Sequence, residues 1–211
     1  MKVVNLIYIA GAICIALTAF SVAQESRTIP YLVRHGFFDE SFTDEGGYPT
    51  FAGLEQNSDL IVRCRIVSGE SHLTQDQTQV YTEYKVESLG IFKLTAGSDV
   101  HIPGPHEFLQ IRRQGGVVMV NGREFRSEDR NFPGFLPNEE YVLFLSKDKN
   151  TGKLTVVAGG QGAFRIVNGN VNHVDRLGFK DEQIRNVDYH AFADRLSKAV
   201  AKSKSQQPST Q

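Results

Sequence analysis

Residues 59–67 carry the period of two that a half-buried strand requires. Leu60, Val62, Cys64 and Ile66 fall on one face, while Arg63 and Arg65 share the other. The alternation returns at residues 80–87, where Val80, Tyr84 and Val86 oppose Glu83, Lys85 and Glu87. Two such strands so close in sequence are expected to pair antiparallel. The stretch between them, residues 68–79, is polar and rich in turn formers, which predicts a connection across the surface.

Strand signals continue through the middle of the chain. Further strands are predicted at residues 100–102, 108–113 and 117–120, the last entering Asn121-Gly122 and leaving through 123–125. Asn-Gly between strand-like runs predicts a tight hairpin, because both central residues of that turn need positive φ. Tyr141-Val142-Leu143-Phe144-Leu145 is apolar without alternation and predicts a strand covered on both faces. It turns through Asp148-Lys149-Asn150-Thr151-Gly152 into a strand at 154–158, and a last hairpin, 163–167 with 171–174, pivots on Asn168-Gly169-Asn170.

The period then changes. From Asp188, a candidate N-cap, the residues Tyr189, Phe192, Leu196, Ala199 and Val200 lie on one helical face, with Lys198 and Lys202 near the C-terminal end of the dipole. The expected fold is therefore mainly β: a small closed or partly open antiparallel barrel with one C-terminal amphipathic helix. Closure is preferred over an open sheet because it removes exposed strand edges.

Residues 1–23 have the features of a cleavable export signal. Lys2 supplies the positive start, 6–20 the apolar run, and Ser21-Val22-Ala23 a small-x-small site before Gln24. The apolar run is short for a bilayer span, and no second one follows, so no membrane span is expected after cleavage. The organisation read from the sequence is a signal peptide at 1–23, an irregular lead-in at 24–53, a barrel domain at 54–178, a helix packed on it within 179–202, and a disordered tail at 203–211.

A hydrophobic fraction of 40 %, with 14 Phe and 7 Tyr, is enough to build a core. The net charge of −1 gives no electrostatic reason to expect nucleic acid as a partner. Of two cysteines, Cys14 lies within the signal, which leaves Cys64 without an intramolecular partner. Its place on the apolar strand face predicts burial as a small hydrophobe.

The strings Ser58 to Val67, Tyr81-Thr82-Glu83-Tyr84-Lys85-Val86, Gly115-Gly116, Tyr141 to Leu145 and Gly160-Gln161-Gly162-Ala163-Phe164 resemble a group of uncharacterised exported bacterial proteins. That group is similar in strand sequence to the OB-like barrels of the netrin and tissue-inhibitor-of-metalloproteinase class. The resemblance spans residues 54–174 and implies an OB-like barrel. Inhibitors of that class use a disulfide-tethered N-terminal cysteine to coordinate zinc, and a chain starting at Gln24 has none to offer.

Four strings invite a chemical reading. Arg34-His35-Gly36 resembles the nucleophile motif of histidine phosphatases, but no later histidine is followed by glycine and the strands that follow do not suit that scaffold. His101, His106 and Glu107 put three potential zinc or copper ligands within seven positions, at a spacing that matches no established pattern. Gly159-Gly160-Gln161-Gly162 joins strand to strand and predicts a bulge or barrel corner rather than a phosphate cradle. Arg112 and Arg113, with Arg123, Arg126 and Arg130, could form a basic surface, although Glu124, Glu128 and Asp129 interleave with them.

No catalytic, cofactor-binding or metal-ligating residue is assigned from these signals. The leading expectation is an exported, periplasmic or extracellular, non-enzymatic module that binds an unknown protein or small ligand. A metal- or histidine-dependent hydrolase using His101, His106 and Glu107, or His35, is the alternative.

Overall fold

A computed structural model describes residues 28–42, 50–104, 107–174 and 184–206. The element order is α1 (Ile29–Arg34), β1 (Asp39–Phe42), α2 (Phe51–Gln56), β2 (Leu60–Leu73), β3 (Val80–Leu94), β4 (Leu109–Gln114), β5 (Gly116–Val120), β6 (Arg123–Asp129), β7 (Glu140–Lys147), β8 (Leu154–Val156), a 3-10 turn at Gly159–Gly162, β9 (Ala163–Val167), β10 (Asn170–His173), β11 (Val187–Asp188) and α3 (Tyr189–Gln206).

Five strands make a ring. β2 pairs antiparallel with both β3 and β7, β3 pairs antiparallel with β4, β8 pairs antiparallel with β7, and the circuit closes where β4 meets β8 in parallel. The closing contact is the single pair Ile111↔Leu154, so the ring is only just shut. The order β2-β3-β4-β8-β7 is that of the five-stranded, partly open OB-type barrel. β9, β10 and β11 extend the sheet outward from β7, and β1, β6 and β5 form a separate three-stranded sheet.

Alternation decides which side chains meet inside. Leu60, Val62, Cys64 and Ile66 of β2 point into the barrel with Val86, Leu109, Ile111, Tyr141, Leu143 and Leu145. The intervening Arg63 and Arg65 lie outside and share Glu140, at 2.7 and 2.8 Å. The central residues of β7, Tyr141 to Leu145, are all apolar because they serve two cores: Val142 and Phe144 face away from the barrel and pack with Phe51, Phe164, Phe192 and Leu196. The helix α3 thus covers the outer side of β7 and β9, and Asp188 Oδ1 accepts from the amides of His190 and Ala191 at its start. A third, smaller core joins Ile29 and Val33 of α1 to Val80, Val118, Val120 and Phe125.

Several boundaries differ from the sequence reading. The predicted connection at 68–79 is mostly strand: β2 runs on to Leu73, and only residues 74–79 turn. Its polarity misled because residues 68–72 are polar or glycine, while the partners that hold them in the ladder lie across on β3. Gly69 sits against the Tyr84 ring, where an added Cβ would lie 2.7 Å from Cε1. Residues 100–102 form no strand; Val100 and Ile102 pack on the barrel core ahead of Pro103 without a pairing partner. β8 stops at Val156, because Ala158 and Gly159 take positive φ.

The lead-in, expected to be irregular, contains α1 and β1. α1 is too short to show a period, and its buried residues are two, Ile29 and Val33. β1 is anchored by parallel pairing with β6, a long-range partner that local sequence does not announce. The C-terminal helix begins at Tyr189, directly after the expected cap Asp188, with residues 184–188 of the segment assigned to it not helical, and it reaches Gln206, into the segment expected as tail. The signal-peptide residues 1–23, the helix residues expected at 179–183 and the tail from 207 lie outside the described residues. Among the described residues no helix is long and apolar enough to cross a membrane.

Candidate functional site

β4 and β8 run parallel but touch only at Ile111 and Leu154. Past that point the strands part, and a cleft of about 420 Å³ fills the seam between Arg112 to Gln114 and Thr155 to Val156. Two loops form its rim: Thr74 and Gln79 come from the β2–β3 turn, and Asp148 and Thr151 from the β7–β8 turn. Tyr81 adds the neighbouring strand, while Asp129 and Phe132 close the end. The rim loops are those after the first and fourth strands of the ring, and the cleft lies between its third and fifth strands.

Its polar wall is built outward from β4. Successive residues of a strand point to opposite faces, so Arg112 borders the seam from outside and Arg113 from within. The Arg112 guanidinium lies 4.1 Å from the Tyr81 ring centroid and donates to Glu83 Oε1 at 2.8 Å, while Lys153 stands 3.8 Å from the same oxygen. That hydrogen bond, with Lys153 behind it, holds the Glu83 carboxyl below the usual carboxylate range. Arg112 Nε is buried with no hydrogen-bond partner among the described residues.

Arg113 stacks on Phe132, 4.5 Å from its centroid, and donates to the Phe132 carbonyl. Desolvation lowers its pKa from the ordinary arginine value, against the nearby Tyr84 and Asp129. Among the described residues it forms no ion pair, its carboxylate neighbours lying beyond 4.0 Å. Gly134 approaches this guanidinium with φ +114°, and an added Cβ would come within 3.4 Å of Nη1.

The acidic groups of the lining are already engaged. Asp129 Oδ1 accepts from the Asn131 amide at 2.9 Å. Asp148 Oδ1 accepts from Thr151 N at 2.7 Å and Asn150 N at 2.8 Å, and these two amides hold its carboxyl below the ordinary aspartate value.

The residues singled out in the sequence are scattered. His35, at the end of α1, stacks on Tyr31 at 4.0 Å and points Nδ1 at the Tyr31 carbonyl. His101 Nε2 lies 3.7 Å from Glu107 Oε2 in an exposed loop, with His106 outside the described residues. Among the described residues no three His, Cys, Asp or Glu side chains gather into a metal-holding group. Cys64 is fully buried in the barrel, and that burial pushes its thiol pKa well up. Gly159–Gly162 forms one 3-10 turn, and an added Cβ on Gly162 would lie 2.5 Å from the Val157 carbonyl oxygen.

Of the five arginines, only Arg112 and Arg113 reach the cleft. Arg126 is paired with Glu124 and Glu128 on the three-stranded sheet, Arg123 lies over Phe38, and Arg130 donates to Ser41. Sequence reading missed Tyr81, Gln114, Asp129 and Phe132 as site residues. An OB-like strand order, once suspected, brings the turns at 74–79 and 148–152 to one face; that was the available signal.

Compared with known protein families and with curated proteins, the chain matches none.

Proposed function

We propose that this chain is an exported, non-enzymatic binding module that holds its ligand in the seam cleft. The observation that carries the reading is the convergence of both rim loops on a polar wall containing a half-buried arginine that forms no ion pair among the described residues. Neutral acceptors and carboxylates at longer range offset only part of the cost of desolvating that charge, which a directly paired anion would offset further. Clefts with apolar walls and a few convergent polar groups are the usual form of a small-molecule site. Val80, Val156 and Phe132 supply the apolar part here.

The exported location rests on residues 1–23, and the kinship with exported bacterial barrels on the strand strings quoted above. Edman sequencing of protein recovered from the envelope or medium of an expressing bacterium is expected to begin at Gln24. An N-terminus at Met1 in a cytoplasmic fraction would remove the location.

Binding is tested by thermal shift against polar metabolites, peptides and sugars, followed by the rim variants Gln79→Ala and Gln114→Ala. A hit that raises Tm and weakens in both variants is the expected result. Hits indifferent to both, or turnover of ester, peptide or phosphate substrates by the purified protein, would overturn the proposal.

A further inference from the structure

We propose that the ligand enters the cleft by an oxyanion, docked between Arg112 and Arg113. The inference rests on the cleft being the binding site and adds the chemistry of what binds there. It follows from counting which hydrogen-bonding groups of the lining are already used.

Both carboxylates of the lining already take backbone amides. Asp129 takes a backbone amide through Oδ1, and Asp148 takes two. The donors outnumber their uses: Arg112 has one hydrogen bond, to Glu83, which it shares with Lys153. Arg113 spends bonds on the Phe132 carbonyl and the Tyr84 hydroxyl, which leaves part of its five-donor fork over, and among the described residues no carboxylate lies within 4.0 Å of it. The side-chain amides of Gln79 and Gln114 at the rim each bring both a donor and an acceptor, so the surplus of donors sits on the two arginines. A cleft with surplus donors is completed by a group that brings acceptors and negative charge. Both guanidinium planes are already braced against rings, Tyr81 and Phe132, so little side-chain freedom remains to be lost on binding.

The probes are glucuronate, inorganic phosphate and glucose, titrated into the unmodified protein while arginine Nε–H and backbone amide signals are followed by NMR. Saturable shifts at Arg112 and Arg113 with glucuronate or phosphate, at least about tenfold tighter than with glucose, are expected, charge-assisted bonds being stronger than neutral ones. Preference between the two anions tells a carboxylate ligand from a phosphate one. Arg112→Lys, which keeps the charge but not the planar fork, should weaken the anion about tenfold at unchanged Tm. Glucose binding the cleft as well as the anions do would overturn the oxyanion and leave the cleft standing. Shifts confined to residues away from the cleft would overturn both, and the absence of any response to millimolar anion would overturn the oxyanion.

Discussion

Glu55 shows how much one side chain can hold together. It lies on α2 at 1 % exposure, with Lys93 Nζ of β3 3.0 Å from Oε1 and Ser203 Oγ of α3 donating to Oε2 at 2.6 Å. One carboxylate therefore ties three elements at the edge of the second core. Glu55→Gln leaves the Lys93 ammonium, itself only 14 % exposed, without its counter-charge. A loss of about 3 kcal/mol, as for a broken buried pair, is expected in urea unfolding. Glu140 works nearer the surface. The hydrogen bond from Arg63, then that from Arg65, lowers its pKa below the ordinary glutamate value. Its contribution is therefore complete above the unfolded glutamate pKa and disappears as pH falls through the depressed folded one. The urea midpoint should drop across that acidic window in the native protein, and Glu140→Gln should flatten the drop.

Among the elements, α3 shows most clearly what could be anticipated. Its apolar face and its cap were both readable, since Asp188 precedes a run whose Phe192, Leu196 and Val200 all enter the second core. Replacing Asp188 with alanine removes the acceptor for two amides and should cost about 1 kcal/mol, seen as a lower Tm. Strands that alternate, such as the first half of β2, were equally plain. The Asn168-Gly169 turn was as well, with φ of +51° and +78°. What escaped were elements whose stability comes from distant partners. β1 needs β6, eighty-odd residues away, as the register Asp39↔Arg126 shows, and the outer half of β2 needs β3. Val100 and Ile102 misled in the opposite sense, being apolar because they lie against the barrel rather than because they pair.

Across the whole molecule, barrel closure is the feature with most at stake. β8 contributes three residues and holds β4 through one pair, so its position depends on the turn that follows. Gly162 lies where that turn crosses β7, and its absent side chain lets the Val157 and Phe144 carbonyl oxygens approach to 2.5 and 3.2 Å of the Cβ position. Both neighbours are backbone and cannot swing aside. Gly162→Ala should destabilise by roughly 1–3 kcal/mol, as overpacking does, and hydrogen exchange should quicken first in β8. The fold class was legible because strand period and turn chemistry act locally. The cleft was not, because it exists only where β4 and β8 separate, a property of closure that no single segment carries.

Cys64, sealed at 0 % exposure in the middle of the barrel, makes the molecule its own reporter. With the thiol shielded from solvent, an aromatic disulfide reagent can react only after the strands around it come apart. The rate of colour release then times the opening of the entire ring, with no label added and no other thiol past residue 23 to confuse the trace.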